Sequence, residues 1–286
     1  MKIQFFPVCS AVRRCCLPLA VAFALYLSPV FSAPAAAEMT IQFGTEQFGW
    51  SEYSSAGAKL LSESGYRSFM GFYYLQDGAD GALLAYHGKL YGGDVNYDGQ
   101  TQSGTQLTTT TRYAGMLNEA NLHYRLKNKP ESNYYWDIVG GVGLDFWTRD
   151  LRGTGGYVEE YLIGYIRAGL DFSAVKYGFQ GSAGAKYPVS TWEQANLKAK
   201  GMADSDPVLE PGKNITYYAS LGYRFDGAWS VSLGYDGYRF SQSPRAPITI
   251  NGVPYTVRQP DSREDIYTLT IGYSFAGGRG SEGSKK

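Results

Sequence analysis

Between Asp265 and Phe275 the chain reads D-I-Y-T-L-T-I-G-Y-S-F, with Tyr267, Leu269, Ile271, Tyr273 and Phe275 alternating with Thr268, Thr270, Gly272 and Ser274. Successive side chains of a strand point to opposite faces, so this stretch predicts a strand with one apolar and one polar side. The alternation returns in Ser220-Leu221-Gly222-Tyr223-Arg224-Phe225 and in Ser232-Leu233-Gly234-Tyr235. Strands of this kind must give their apolar face either to a second sheet, as in a sandwich, or to lipid, as in a membrane barrel.

The amino end bears on that choice. Lys2, Arg13 and Arg14 precede an apolar run from Leu17 to Phe31, and Ala35-Ala36-Ala37 offers small residues ahead of Glu38. This is the layout of a secretory signal peptide, so residues 1–37 are expected to leave the mature protein. Cys9, Cys15 and Cys16, the three cysteines of the chain, would leave with them. An exported chain without cysteine has no disulfide, thiolate or cysteine-zinc chemistry. The 26 basic residues fall by three to 23 against 26 acidic ones, a net of about −3, which gives no footprint for nucleic acid.

Ten segments carry strand character: 39–50, 66–75, 82–93, 112–126, 134–148, 161–173, 177–188, 214–225, 229–240 and 265–275. Most reach the roughly 9–11 residues that a tilted strand needs to cross a bilayer. The connections alternate. Gln76–Gly81, Lys127–Asn133, Ala174–Lys176 and Asp226–Ala228 are short, whereas Ser51–Gly65, Asp94–Thr111, Arg149–Glu160, Val189–Lys213 and Ser241–Glu264 are long. Short turns at one end and long loops at the other are the habit of membrane barrels. Within the last long segment, Ile248–Val253 predicts a hairpin turning at Asn251-Gly252.

The closing strand resembles that of bacterial outer-membrane β-barrels, which alternates apolar residues and ends on an aromatic. The tail after Phe275 departs from members that stop at that aromatic. The expected fold is all-β: a transmembrane antiparallel up-and-down barrel of ten strands over 38–275, with 276–286 as a flexible periplasmic tail. An eight-stranded barrel is the alternative, with the first two segments as a lid, because Thr40–Trp50 alternates poorly. The resemblance implies insertion by the barrel-assembly machinery and contact with outer-membrane lipid and lipopolysaccharide. An even strand count puts both termini on the periplasmic side.

The phase that keeps charge off the lipid face turns Arg67, His87, Lys89, Glu119, His123, Arg125, Asp137, Asp145, Arg167, Asp171, Lys186, Arg224 and Asp236 into the lumen. A Lys or Arg on the lipid face near mid-membrane would cost ~2–4 kcal/mol. In 161–173 this phase also turns Ile163 and Tyr165 inward, which asks for a bulge or an aromatic lumen contact. Inward glycines such as Gly141, Gly143, Gly169, Gly184, Gly222, Gly234 and Gly272 leave room for a pathway or relieve curvature. Aromatics near the strand ends predict two girdles. The turn-end set is Tyr134, Tyr135, Trp136, Tyr177, Tyr223, Trp229, Tyr273 and Phe275; the loop-end set is Trp50, Tyr53, Phe146, Trp147, Tyr187 and Trp192.

No catalytic, metal or cofactor constellation emerges. Ten strands is the size of the omptin-type outer-membrane proteases, whose chemistry needs a histidine and acids together at the rim. Asp94, Asp98, Asp150, Glu159 and Glu160 supply rim acids, but His87 falls mid-strand between Ala85 and Lys89 (no acid-x-His pair) and His123 near the periplasmic end. The expected function is non-enzymatic: a structural or surface-interaction barrel with a polar, largely side-chain-filled lumen, whose long loops offer a surface for an extracellular ligand. A small porin-like channel for ions or small solutes is the alternative. A rim-active membrane hydrolase ranks behind both.

Overall fold

The computed structural model describes residues 37–77, 81–100, 104–126, 133–153, 155–225 and 228–276. The leader and nearly all of the tail therefore lie outside the described residues. Fourteen strands follow one another: β1 (Ala37–Tyr53), β2 (Lys59–Asp77), β3 (Ala82–Gln100), β4 (Gln106–Arg125), β5 (Tyr134–Leu151), β6 (Val158–Ala174), β7 (Phe179–Ala195), β8 (Val208–Leu209), β9 (Gly212–Lys213), β10 (Thr216–Phe225), β11 (Trp229–Ser241), β12 (Ala246–Ile250), β13 (Val253–Val257) and β14 (Asp261–Ala276). Ten of them, β1–β7 with β10, β11 and β14, pair in sequence order, every pairing antiparallel. The ring closes where β14 meets β1 from Glu38↔Ala276 to Tyr53↔Asp261. The expected up-and-down barrel of ten strands is the fold.

The eight-stranded alternative fails because β1 and β2 are full members of the wall. The weak alternation of Thr40–Trp50 has a physical cause. Its outward side begins apolar at Met39 and Phe43 and ends polar at Gln47, while its inward side ends on Phe48 and Trp50, each 1% exposed. The apolar side of the strand changes face halfway along.

Large apolar side chains cover the outside as a belt: Met39, Phe43, Met70, Phe72, Leu90, Met116, Leu122, Ile138, Val142, Leu144, Ile166, Leu170, Leu221, Leu233, Leu269 and Ile271 are all exposed. Water does not tolerate contiguous apolar surface on that scale, and hydrocarbon does. The chain is a transmembrane barrel. At the turn end the belt is rimmed by exposed Tyr134, Trp136, Tyr177, Tyr223, Trp229, Tyr273 and Phe275, and at the loop end by Tyr66, Tyr187, Tyr217 and Tyr267. Trp50 and Trp147, expected in the loop-end girdle, are 1% and 2% exposed inside the lumen. They share the inward parity of Glu52 and Arg149, and that parity places them.

Two of the expected long loops are mostly strand and a third is half strand. β1 and β2 are joined by residues 54–58, β3 and β4 by 101–105, and β5 and β6 by 152–157. The strands continue past the belt because their inward residues go on packing, while their outward ones turn polar, as at Ser62, Ser64, Asn96, Thr108 and Thr110. Loss of the apolar outer face makes such a stretch read as loop. Two connections remain long, 196–215 and 242–260. The second holds the expected hairpin: β12 pairs with β13 around Asn251 (φ 51°) and Gly252 (φ 77°), the left-handed pair that a two-residue turn demands. It rests on the first long loop through Asp204, whose N–H donates to Thr249 O (2.8 Å) and whose Oδ2 accepts from Gly252 N (3.0 Å).

Candidate functional site

The lumen is layered. The thirteen charged or histidine residues expected inside fall into separate groups. Arg67 donates to Glu46 (Nη2–Oε2 2.7 Å), which also receives Lys89 Nζ at 2.6 Å. Asp145 accepts the hydroxyls of Tyr91 (2.7 Å) and Tyr238 (3.1 Å). Lys186 meets Asp236 at 2.7 Å. Glu119 is held by Arg167, by Tyr165 OH (2.8 Å) and by Asn121 Nδ2 (2.7 Å), with His87 opposite it in the β3–β4 register. His123 Nδ1 lies 3.2 Å from Asp171. Nearest the turns, Arg125 pairs with Asp137 (3.0 Å) and Arg224 with Glu38 (2.6 Å). His87 and His123 do not come together with acids at the loop end. Among the described residues no group of His, Cys, Asp and Glu could hold a metal ion.

Above the Glu46 group the lumen is filled by rings. Phe48, Trp50, Tyr91, Tyr113, Trp147, Tyr161, Ile163, Tyr165, Tyr238 and Phe240 are all buried in one cluster. The contacts cross the barrel. Trp50 of β1 and Tyr161 of β6, five strands apart around a ring of ten, have centroids 5.9 Å apart, and Trp147 of β5 stacks with Tyr238 of β11 at 5.9 Å. In 161–173 the aromatic lumen contact is realised by Tyr161, Ile163 and Tyr165, and the β6–β7 register shifts between Gly164 and Tyr165, where Val189 has no partner. Three of the inward glycines lie against tyrosine rings. A Cβ on Gly143 would overlap Tyr165, and one on Gly169 or Gly184 would overlap Tyr218. The room they leave is already taken.

At the loop end, on top of this aromatic layer, sits a charged cluster that the strand boundaries read from sequence had assigned to loops. Arg149 of β5 donates to Glu63 (Nη2–Oε1 2.8 Å; Nε–Oε1 3.1 Å), to Glu159 (Nη1–Oε2 2.5 Å) and faces Glu52 at 3.5 Å. Thr111 Oγ1 (2.8 Å) and Tyr113 OH also donate to Glu63, Trp50 Nε1 (3.0 Å) and Gln259 Nε2 (3.2 Å) to Glu52, and Tyr161 OH (3.1 Å) to Glu159. Glu193 of β7 completes the set: it is 1% exposed, and its Oε2 has no hydrogen-bond partner. Continuing the inward parity of β1, β2, β5 and β6 by two to six residues finds Glu52, Glu63, Arg149 and Glu159. Glu193 escapes that rule, because the Val189 irregularity changes the parity of β7.

This cluster floors a cavity of about 250 Å³ lined by Glu52, Tyr97, Arg149, Tyr157, Glu159, Glu193 and Leu209 and roofed by Val257–Pro260. That is below the roughly 300–1,000 Å³ of drug-sized ligand clefts, so only a small molecule fits. Four carboxylates face one guanidinium. In the connection between β5 and β6, the neighbouring carboxylate of Glu159 and burial push the Tyr157 hydroxyl well above the usual phenol range, so it stays a neutral donor. At the mouth, Arg258 is exposed.

No protein-family model matches the chain. No curated protein matches it either. Among solved structures it is similar to the outer membrane protease OmpT from Escherichia coli, at 13% identity and a TM-score of 0.54, over 85% of this chain and 98% of that one. It also matches the translocator domain of the autotransporter NalP from Neisseria meningitidis (10% identity, TM-score 0.40, 91% of this chain and 97% of that) and the outer membrane protein OprG from Pseudomonas aeruginosa (12%, 0.36, 85% and 98%). At such identities the OmpT likeness speaks to the fold, which is that of the bacterial outer-membrane β-barrels.

Proposed function

We propose that this barrel resides in a bacterial outer membrane with both termini in the periplasm, does not conduct, and works as a surface-binding protein through the cup at its loop end. The observation that carries this reading is the closed aromatic layer. Rings from β1 and β6 touch across the lumen, and the Arg149 cluster lies on top of them. Hydrated ions need a continuous polar path, and a layer of packed rings denies it. The two long connections, 196–215 and 242–260, support this orientation, since barrels of this class keep short turns on the periplasmic side. Lipopolysaccharide and phospholipid contact the belt, and the barrel-assembly machinery inserts the chain.

OmpT is named a protease, and this chain shares its fold. Catalysis by a histidine-activated water does not fit the cup, whose lining contains no histidine; His87 and His123 sit on the far side of the aromatic layer. The test is single-channel recording of refolded protein in a planar bilayer. Wild type is expected to be silent, and a Trp50→Ala/Tyr161→Ala variant, which removes the cross-lumen contact, is expected to show discrete steps. Steps from folded wild type, with an ion selectivity altered by Lys89→Glu, would overturn the reading in favour of a channel.

A further inference from the structure

We infer that the cup binds a small organic cation, an ammonium or guanidinium group, through the free carboxylate oxygen of Glu193, and that Arg258 at the mouth selects ligands that also carry an anionic end. This deepens the proposed function and rests on its placing of the cup at the cell exterior.

Three observations support it. The first is charge. Glu52, Glu63 and Glu159 share Arg149, and burial with the neighbouring Glu159 and Glu52 carboxylates pushes the Glu193 carboxyl well above its usual range, a penalty that a bound cation relieves. Coulombic attraction for a cation is stronger there than at an exposed surface. The second is satisfaction. Glu52, Glu63 and Glu159 are each met by donors from the wall, but Glu193 Oε2 is buried and unpaired. A buried carboxylate oxygen without a donor costs free energy that an N–H donor from a ligand recovers. The third is shape. The cavity admits a slender molecule, with aromatic and aliphatic walls from Tyr97, Tyr157, Leu61 and Leu209 for its stem. Tyr97 and Tyr157 also offer ring faces to a cation.

Arg258 adds direction. It is exposed, and among the described residues no carboxylate pairs with it. A ligand entering cation-first leaves its other end beside this guanidinium, which forms a charge-assisted pair with a carboxylate and repels a second cation. The floor thus selects for a cation and the mouth against a dication.

The experiment is isothermal titration calorimetry on refolded full-length barrel with a matched pair of probes, L-arginine and agmatine, which differ only in the carboxylate. L-arginine is expected to bind at low ionic strength, more tightly than agmatine. Glu193→Gln, which keeps the shape and removes the ionisable carboxyl, is expected to weaken L-arginine at least tenfold with an unchanged cold-to-heated gel shift. Arg258→Ala is expected to erase the preference for L-arginine, weakening L-arginine and tightening the dication agmatine. Absence of heat from either probe at millimolar concentration, or equal binding by Glu193→Gln, would overturn the inference. If the same preparation is electrically silent, the proposed function survives that result; if it conducts, the proposed function fails with it.

Discussion

The two halves of the lumen handle buried charge differently. In the turn half, acid and base are balanced and meet in pairs: Arg125 with Asp137, Arg224 with Glu38, Arg167 with Glu119, Lys186 with Asp236. Buried polar atoms without a protein partner occur in both halves, Asn121 Oδ1, His123 Nε2 and Asp171 Oδ1 in this one and Glu193 Oε2 in the other. In the loop half, rings fill the bore and one arginine serves three glutamates, with a fourth beside it. A half that water can enter tolerates loss of a pair, because water replaces the partner. A half sealed by rings does not, and an acidic surplus there is evidence of a requirement beyond stability.

Removing Arg149 should therefore have the largest effect. Arg149→Ala strands the buried carboxylates of Glu52, Glu63 and Glu159 without a cation, and breaking a buried pair by deleting one partner costs about 3–5 kcal/mol. Urea unfolding in lipid vesicles, followed by the heat-dependent gel shift, should show that loss. Arg149→Met combined with Glu63→Gln should recover part of it. A loss under about 1 kcal/mol would mean that the loop half is as wet as the turn half, and the contrast would collapse.

The outer face supplies an effect almost as large. Leu269 is exposed in the belt between Thr45 and Leu233, so Leu269→Arg sets a charge in hydrocarbon at about 2–4 kcal/mol. Reduced folded protein in the membrane fraction is the expected outcome.

Inside the turn half, Glu119→Ala deprives Arg167, Tyr165 and Asn121 of their acceptor. Arg167 is 17% exposed and within reach of water, so the expected loss is about 1–3 kcal/mol, below that of Arg149→Ala. Equal losses for the two variants would argue against a hydration difference. Gly143→Ala should fall in the same range, about 1–3 kcal/mol, because its methyl collides with Tyr165 at the boundary of the two halves.

The turn half was far more legible in the sequence than the loop half, and the reason is physical. Around Glu119, Arg125 and Asp137 an apolar face in lipid opposes a charged face in the lumen, so period-two contrast is strong. The closing strand, Tyr267 to Phe275, is the clearest case. Past the belt both faces are mixed: Thr108, Thr110 and Arg112 look outward while Thr111 and Tyr113 look inward, and contrast disappears although the strand continues. For this reason Glu52, Glu63, Arg149 and Glu159 read as loop residues. Trp50 and Trp147 misled for a different reason. A tryptophan near a strand end suits an interface as well as a core, and only its parity with charged neighbours decides. The glycines could not be interpreted alone, since Gly143 carries no mark of the tyrosine on the adjacent strand that needs its space.

The mildest test uses an ion pair of the same chemistry as Arg149–Glu63 on the outside of the wall, beyond the belt. Arg112 donates to both carboxylate oxygens of Asp94, at 2.8 and 3.1 Å, with the two side chains 56% and 53% exposed. The hydrogen-bonded guanidinium holds the Asp94 carboxyl below its usual 3.8. A depressed folded pKa means that whatever the pair adds to stability is present above the ordinary aspartate value and is lost as pH falls through the lower, folded one. Asp94→Asn should therefore shift the unfolding midpoint slightly at pH 7, less at that pH in high salt, which screens exposed charges, and not at all once the wild-type carboxyl is protonated. Bidentate geometry is common to this pair and to Arg149–Glu63, so a negligible shift here beside a large one for Arg149→Ala would assign the difference to exclusion of water. Comparable shifts would assign it to geometry, and the distinction between the two halves of the lumen would lose its physical basis.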